Sequence, residues 1–296
     1  MPAIDTAAVP APTTATLAAR QRWLVFIHQL SARPSNARVK TWRRLQQIGA
    51  VLVKNAVHVL PNTVQAREDF EWLRSEVIDM GGQANVFEAS SMTGQDEQQL
   101  LARFREDAVV DAVARAKADR GVWAAGAGTS AKRASRKSGS PLDVRDYQHR
   151  TWVTRPRPGV DRFSSAWLIR RFIDPGARFV FAESPEKAPY AIPFDMYQQG
   201  GFRHEGDRCT FEVLQERFAL TDHCVARIAE IVHDVDLKDD RFGSPHAPTI
   251  ANLVEGLRAS IPGDDELLEQ GIVLFEALYR SCQPRRNPRV GKTGIC

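Results

Sequence analysis

Two stretches in the second half of the chain concentrate side chains that could do chemistry. WVTRPRPGVDRFSSAWLIRRFID, Trp152 to Asp174, carries Arg155, Arg157, Arg162, Arg170 and Arg171. FRHEGDRCTFEVLQERF follows, with His204, Cys209 and Glu212. The later segment HDVDLKDD adds His233, Asp234 and Asp236. The back half of the arginine stretch is apolar enough for a buried helix, and Arg155 and Arg162 flank its entry. A helix N-terminus presents unpaired N–H groups and a positive dipole end, which attract anions. Guanidinium adds a planar fork of donors that suits carboxylates and tetrahedral oxyanions alike. Pro156 and Pro158 stiffen the approach and limit the entropy lost on ordering it.

His204 has two readings. It can donate to an anion beside the arginines, or ligate a divalent metal ion with Glu212 and Asp236. The spacing matches no known metal signature. Structural readings stand beside these. Arg155 and Arg162 can pair with Asp161, Asp174 or Asp195. Arg170 and Arg171 fit snorkelling or salt-bridged positions. Cys209 and Cys224 fit small buried apolar sites, and His233 suits a helix end. G-x-S-x-G, Walker A, G-x-G-x-x-G and H-E-x-x-H motifs are all absent, so no standard catalytic signature is present.

The elements that must position these groups fall into two blocks. In the first, WLVFIHQL reads as a strand, and Val39, Trp42, Leu45 and Ile48 mark a helix that stops at Gly49. VLVKNAVHVLP reads as a strand or hairpin, Phe70, Leu73 and Val77 mark a second helix, and QANVFEASSM a further strand. That order suits a ferredoxin-like α/β sandwich over residues 21–122, with a trailing helical segment. Residues 123–145, rich in Gly, Ser, Ala, Lys and Arg, form a flexible basic linker. The second block, residues 146–282, is mostly helical, with short strands at RTWVT and RFVFA and helices near 210–218, 221–235, 247–260 and 264–282. The overall class is α+β. Residues 1–20 and 283–296 are expected to be disordered.

The first block has a charge pattern of its own. No Asp or Glu occurs from Thr6 to Arg67. Arg33, Arg38, Lys40, Arg43, Arg44 and Lys54 lie in that span. Such a set suits the phosphates of DNA, without specifying a base sequence, and equally suits a solvated basic face. The chain as a whole is mildly basic, with a formal net charge of +4. Its four cysteines, Cys209, Cys224, Cys282 and Cys296, contain no C-x-x-C pair. A disulfide framework or zinc knuckle is not expected, and a reducing compartment is. The start of the chain lacks a basic, then apolar, secretory pattern, and no run approaches the ~20 apolar residues of a membrane span. A soluble, cytoplasmic protein without a membrane partner is expected.

SARPSNARVKTWRRLQQIGAVLVKNAVHVLPNTVQAREDFEWL resembles the N-terminal domain of the ChrB chromate-resistance family. WVTRPRPGVDRFSSAWLIRRFIDPGARFVF, IPFD and RHEGDRCTFE resemble that family's C-terminal domain. The resemblance spans about Trp23 to Cys282. It implies a chromate-responsive transcriptional repressor of a chromate resistance operon, released from its promoter when chromate binds. Arg155, Arg162 and His204 would then be the chromate-binding set. Arg33, Arg38, Lys40, Arg43, Arg44 and Lys54 would face promoter DNA, and a homodimer is expected. The alternative is a metal- or thiol-dependent enzyme acting on chromate or reactive oxygen species, through His204, Glu212 and Asp236 or through Cys209. The organisation requires no cofactor beyond that possible divalent metal.

Overall fold

Strand β1 (Arg22–Gln29) shows how the first unit is built. Its side chains alternate across the sheet. Leu24 and Phe26 are buried in a core with Leu45, Phe70, Leu73 and Val77. Trp23, on the opposite face, stacks on Phe104 at 5.4 Å. The computed structural model describes residues 22–31, 36–90, 98–104, 140–198 and 200–283. The chain divides into two units, residues 1–132 and 133–296. The expected N-terminal tail, the expected C-terminal tail beyond Gln283 and most of the expected linker lie outside the described residues.

In the first unit β1 leads into helix α1 (Asn36–Gln47), strands β2 (Val51–Lys54) and β3 (Val57–Pro61), helix α2 (Val64–Asp79) and strand β4 (Gln83–Ser90). The sheet order is β2-β3-β1-β4, with every pairing antiparallel. This is the ferredoxin-like βαββαβ arrangement expected from the sequence. Asn55 adopts a left-handed φ of 51° in the turn that folds VLVKNAVHVLP into two strands. Thr63 caps α2 by accepting from the Ala66 amide at 3.1 Å. Gly81 ends α2 with a φ of 79°. A side chain at Gly82 would overlap Leu30 and Val77, so both glycines of the pair are needed.

The second unit begins earlier than residue 146. The Leu142 amide bonds the Arg217 carbonyl, and Leu142 and Val144 pack on the core. Strand β5 (Thr151–Thr154) runs parallel to β6 (Arg178–Phe181) and β7 (Ile192–Pro193), in the order β6-β5-β7. Helix α3 (Val160–Leu168) makes the crossover from β5 to β6, and every one of its residues is buried. It continues as a wider π turn, Ile169–Ile173, closed by Asp174 N–H to Ile169 C=O. Helices α4 (Thr210–Arg217), α5 (His223–Leu237), α6 (Ala247–Ser260) and α7 (Asp264–Cys282) complete the unit. They match the four helical runs read from the sequence.

Helix α3 is central because its neighbours approach closely. Phe163 of α3 is wholly buried against Gly271 of α7, where an added Cβ would overlap the Phe163 ring. Packed interiors tolerate such overlap badly. Gly271→Ala is therefore expected to cost about 1–3 kcal/mol despite the higher helix propensity of alanine. Urea unfolding followed by tryptophan fluorescence checks this. A stabilised variant would show that α3 and α7 can separate freely.

Candidate functional site

Arg155 leaves the end of β5 and Arg162 sits in the first turn of α3, so both guanidinium groups reach the same buried spot. Asp195, just after β7, meets them there. Arg155 donates from Nε to the Asp195 carbonyl at 3.0 Å and from Nη2 to Oδ2 at 3.1 Å. It also donates to the Tyr197 hydroxyl and lies 3.8 Å from that ring's centroid. Arg162 Nε stands 3.8 Å from the same Asp195 oxygen, and its Nη2 donates to the Arg157 carbonyl at 3.0 Å. Thr210 Oγ1 donates to Asp195 Oδ1 at 2.9 Å.

His204 arrives from the loop after β7. Its Nε2 lies 3.1 Å from Asp161, 3.2 Å from Asp236 and 3.5 Å from Asp195. Asp161, in the first turn of α3, also accepts from the Thr210 amide at 2.7 Å, the Phe211 amide at 2.8 Å and Ser165 Oγ at 3.2 Å. It thus satisfies the start of α4 while holding His204. Three cations face three carboxylates in this cluster. All six side chains are less than a tenth exposed except Asp236, at 20%.

Burial opposes a charged imidazole at His204, but hydrogen bonds and charge from Asp161 and Asp236 outweigh it and hold the pKa up at about 10. At Asp195, burial and then the negative charge of Asp161 raise the pKa. Arg155, Arg162 and His204 pull it back only in part. Protonation of Asp195 is therefore easier than that of an ordinary aspartate.

The three residues read as an oxyanion set, Arg155, Arg162 and His204, do converge. The centre of their convergence is a carboxylate of the protein itself. Of the alternatives for the arginines, Asp195 is the partner. Asp174 instead receives the amides of His149, Arg150 and Gly176 and the Trp152 indole N–H. Arg170 pairs with Glu269 at 2.7 Å, and Arg171 lies 3.9 Å from Glu276, as structural positions. Arg157 binds the Ile261 carbonyl and the Asp264 carboxylate between α6 and α7.

The expected metal set needs correction. His204 and Asp236 come together with Asp161, their ligand atoms within 4.8 Å of one another. Glu212 belongs to a different group. Its Oε2 accepts from the Cys209 amide at 3.0 Å and faces His233 Nδ1 at 2.7 Å. His233, fully buried, meets Asp239 through Nε2 at 3.2 Å. Burial again opposes its charge, and Asp239 and Glu212 hold its pKa up at about 9. Cys209 is fully buried, and desolvation followed by the charges of Asp161 and Glu212 pushes its thiol well above the ordinary value. That is the reverse of a reactive thiol's surroundings. Sequence spacing gave no sign of the His233–Glu212–Asp239 group, since Glu212 lies 21 residues before His233 and on a different helix.

The basic set of the first unit divides in space. Arg38, Arg43 and Lys54 are exposed. Lys40 and Arg44 turn toward Glu76 of α2, at 3.8 and 3.7 Å. Arg33 lies outside the described residues.

The two raised histidines make the second unit's stability depend on pH. A group whose folded pKa exceeds its unfolded value of 6.5 gives its full stabilisation below that value. The contribution is lost as pH climbs through the folded values of about 9 and about 10. The urea midpoint is therefore expected to fall on going from neutral pH to about pH 10, and His233→Gln is expected to flatten the first part of the fall. A midpoint that stays constant to that pH would show that neither imidazole carries charge.

Residues 38–121 match the family model described as Protein ChrB, N-terminal, and residues 152–282 match ChrB, C-terminal domain. A curated relative, Protein ChrB of Cupriavidus metallidurans, is 26% identical over 309 aligned positions, covering 87% of this chain and 94% of the relative. No solved structure matches the chain. Among the described residues no helix is long and apolar enough to cross a membrane. With both of its domain models matched in order, the chain belongs to the ChrB family of chromate resistance-associated proteins.

Proposed function

We propose that this chain is a chromate-responsive regulator of a chromate resistance operon. The basic first unit binds promoter DNA as a homodimer, and the second unit senses chromate. The observation that carries this reading is the convergence of Arg155, Arg162 and His204 on the Asp195 carboxylate. An internal carboxylate marks where an oxyanion is best received, because its donors already point at one place. Chromate, a tetrahedral dianion, enters by displacing Asp195 or by leaving it protonated. Either event removes one negative charge against the two that chromate brings, and so offsets half of the added charge. Regulation then requires chromate to bind the DNA-free state more tightly than the DNA-bound one.

Titration calorimetry with chromate tests the site. Asp195→Asn removes the competing charge and is expected to tighten chromate binding by about tenfold, or roughly 1.4 kcal/mol. Arg162→Lys loses the planar fork and is expected to weaken it by a similar factor. Unchanged affinity in both variants would place the anion elsewhere. In gel shifts on the promoter, replacing Arg38 and Arg43 with alanine is expected to lower the salt slope by about 1–2. Chromate at fixed ionic strength is expected to release the wild-type complex, with sulfate as the control of equal shape and charge. A complex indifferent to chromate would end the sensing reading.

A second reading rests on Asp161, His204 and Asp236, an oxygen-rich N/O set within reach of a divalent cation such as Mn²⁺. It would make the unit a metal-dependent enzyme acting on chromate or reactive oxygen species. Arg155 and Arg162 stand against it, because two guanidinium groups beside the site repel a cation. Stoichiometric metal in the purified protein, lost on Asp236→Ala, would favour this reading over the first.

A further inference from the structure

Helix α5 starts beside the end of α7, and the junction gathers three soft or borderline ligand groups. His223 and Cys224 are the first two residues of α5, and Cys282 is the last of α7. His223 Nε2 lies 3.3 Å from Cys224 Sγ. The ligand atoms of all three residues fall within 4.8 Å of one another. Neither cysteine is in a disulfide. We propose that His223, Cys224 and Cys282 bind a thiophilic divalent cation of the zinc class, clamping the start of α5 to the last turn of α7.

The spacing fits such an ion. Ligands about 2.0–2.3 Å from a tetrahedral centre lie about 3.5–3.8 Å from each other, so small side-chain rotations complete the set. Two sulfurs and an imidazole select zinc-like ions over the hard cations, which take oxygen. Two thiolates match a double positive charge. On binding, each thiol gives its proton to solvent and its sulfur lone pair to the metal, with no change of oxidation state. His223 is exposed, so water fills the fourth position.

The surroundings hold the ligands in register without the metal. Asp222 caps α5, accepting from the Cys224 amide at 2.8 Å and the Val225 amide at 3.1 Å. Its other oxygen accepts from the Tyr279 hydroxyl at 2.9 Å. Tyr279 lies three residues before Cys282, on the same face of α7. Its buried ring packs on Trp167 and Phe172, at 5.3 and 5.7 Å. The capping carboxylate therefore ties the two helix ends at the point where the thiols meet. None of these residues belongs to the Arg155–Asp195 cluster, so the proposal stands or falls separately from chromate sensing.

The test titrates full-length, metal-free, fully reduced protein with Co²⁺ as the spectroscopic probe, in a Cys296→Ser background. One equivalent is expected to give the visible bands of tetrahedral cobalt and a thiolate-to-cobalt charge-transfer band, both erased by Zn²⁺. Losing an outer partner of a metal ligand costs about 10–100-fold in affinity, and losing a ligand costs at least that. Cys282→Ser, at a half-buried position, and His223→Ala, at an exposed one, are each expected to weaken binding about tenfold or more. Cys282→Ser is also expected to reduce the charge-transfer band. Absence of that band in the parent protein, or its survival unchanged in a Cys224→Ser, Cys282→Ser double variant with native circular dichroism, would overturn the site.

Discussion

The carboxylate of Asp161 is the constraint on which the second unit's geometry depends. It sits 2% exposed in the first turn of α3, yet it serves partners far along the chain. It receives the first amides of α4 and, through the same oxygens, faces Ser165 and His204. A buried carboxylate costs several kcal/mol unless donors surround it. Asp161 meets that cost by satisfying orphan N–H groups that α4 must place somewhere. The arrangement fixes α4 against α3, which in turn aims Thr210 at Asp195 and His204 at the three carboxylates.

Other aspartates of the unit repeat the device. Asp174 gathers three amides and an indole N–H at the start of β5. Asp234 closes the turn after α5 by accepting from the Phe242 and Ser244 amides at 2.9 and 2.7 Å. Asp222 caps α5 and reaches Tyr279. Each joins backbone donors to a segment that sequence proximity does not suggest. The acidic residues of this unit thus act as connectors, and their charge is settled by hydrogen bonds before it is available to a ligand.

That explains what the sequence revealed and what it did not. The ferredoxin-like unit was legible because periods of 2 and 3.6 alternate cleanly there, and Pro61 and Gly81-Gly82 punctuate them. The four later helices were legible for the same reason. Strand β7 was not, being two residues that include Pro193, held by parallel pairing with β5 and by the Phe202 amide on the Pro193 carbonyl. The arginines' partner lies 40 residues from Arg155, a separation no local pattern encodes. Glu212 looked nearer His204 than Asp161 did along the chain, but α4 turns Glu212 toward His233. Likewise an acid-free span of sequence did not make an acid-free surface. The α1–α2 packing brings Glu76 to Lys40 and Arg44, while Arg38 and Arg43 stay exposed.

The balanced charge of the Arg155–Asp195 cluster decides how it would work as a sensor. A buried network with equal numbers of cations and carboxylates cannot take up a dianion passively, because the added charge would be uncompensated in a poorly polarisable interior. A carboxylate that gives way offsets half of that charge. Asp161 is held by two backbone amides, and withdrawing it would unsettle α4. Asp195 is held by side chains and sits at a left-handed φ of 49° in a short segment. That segment is pinned by Asp195 N–H to the Phe202 carbonyl and by Phe202 N–H to the Pro193 carbonyl. On the proposed reading, an anion that takes over Arg155 and Arg162 releases Asp195 and its segment while α3 and α4 stay fixed. A two-state element of this kind is what coupling a buried site to a distant one requires, and here its movable part is the stretch that also carries His204.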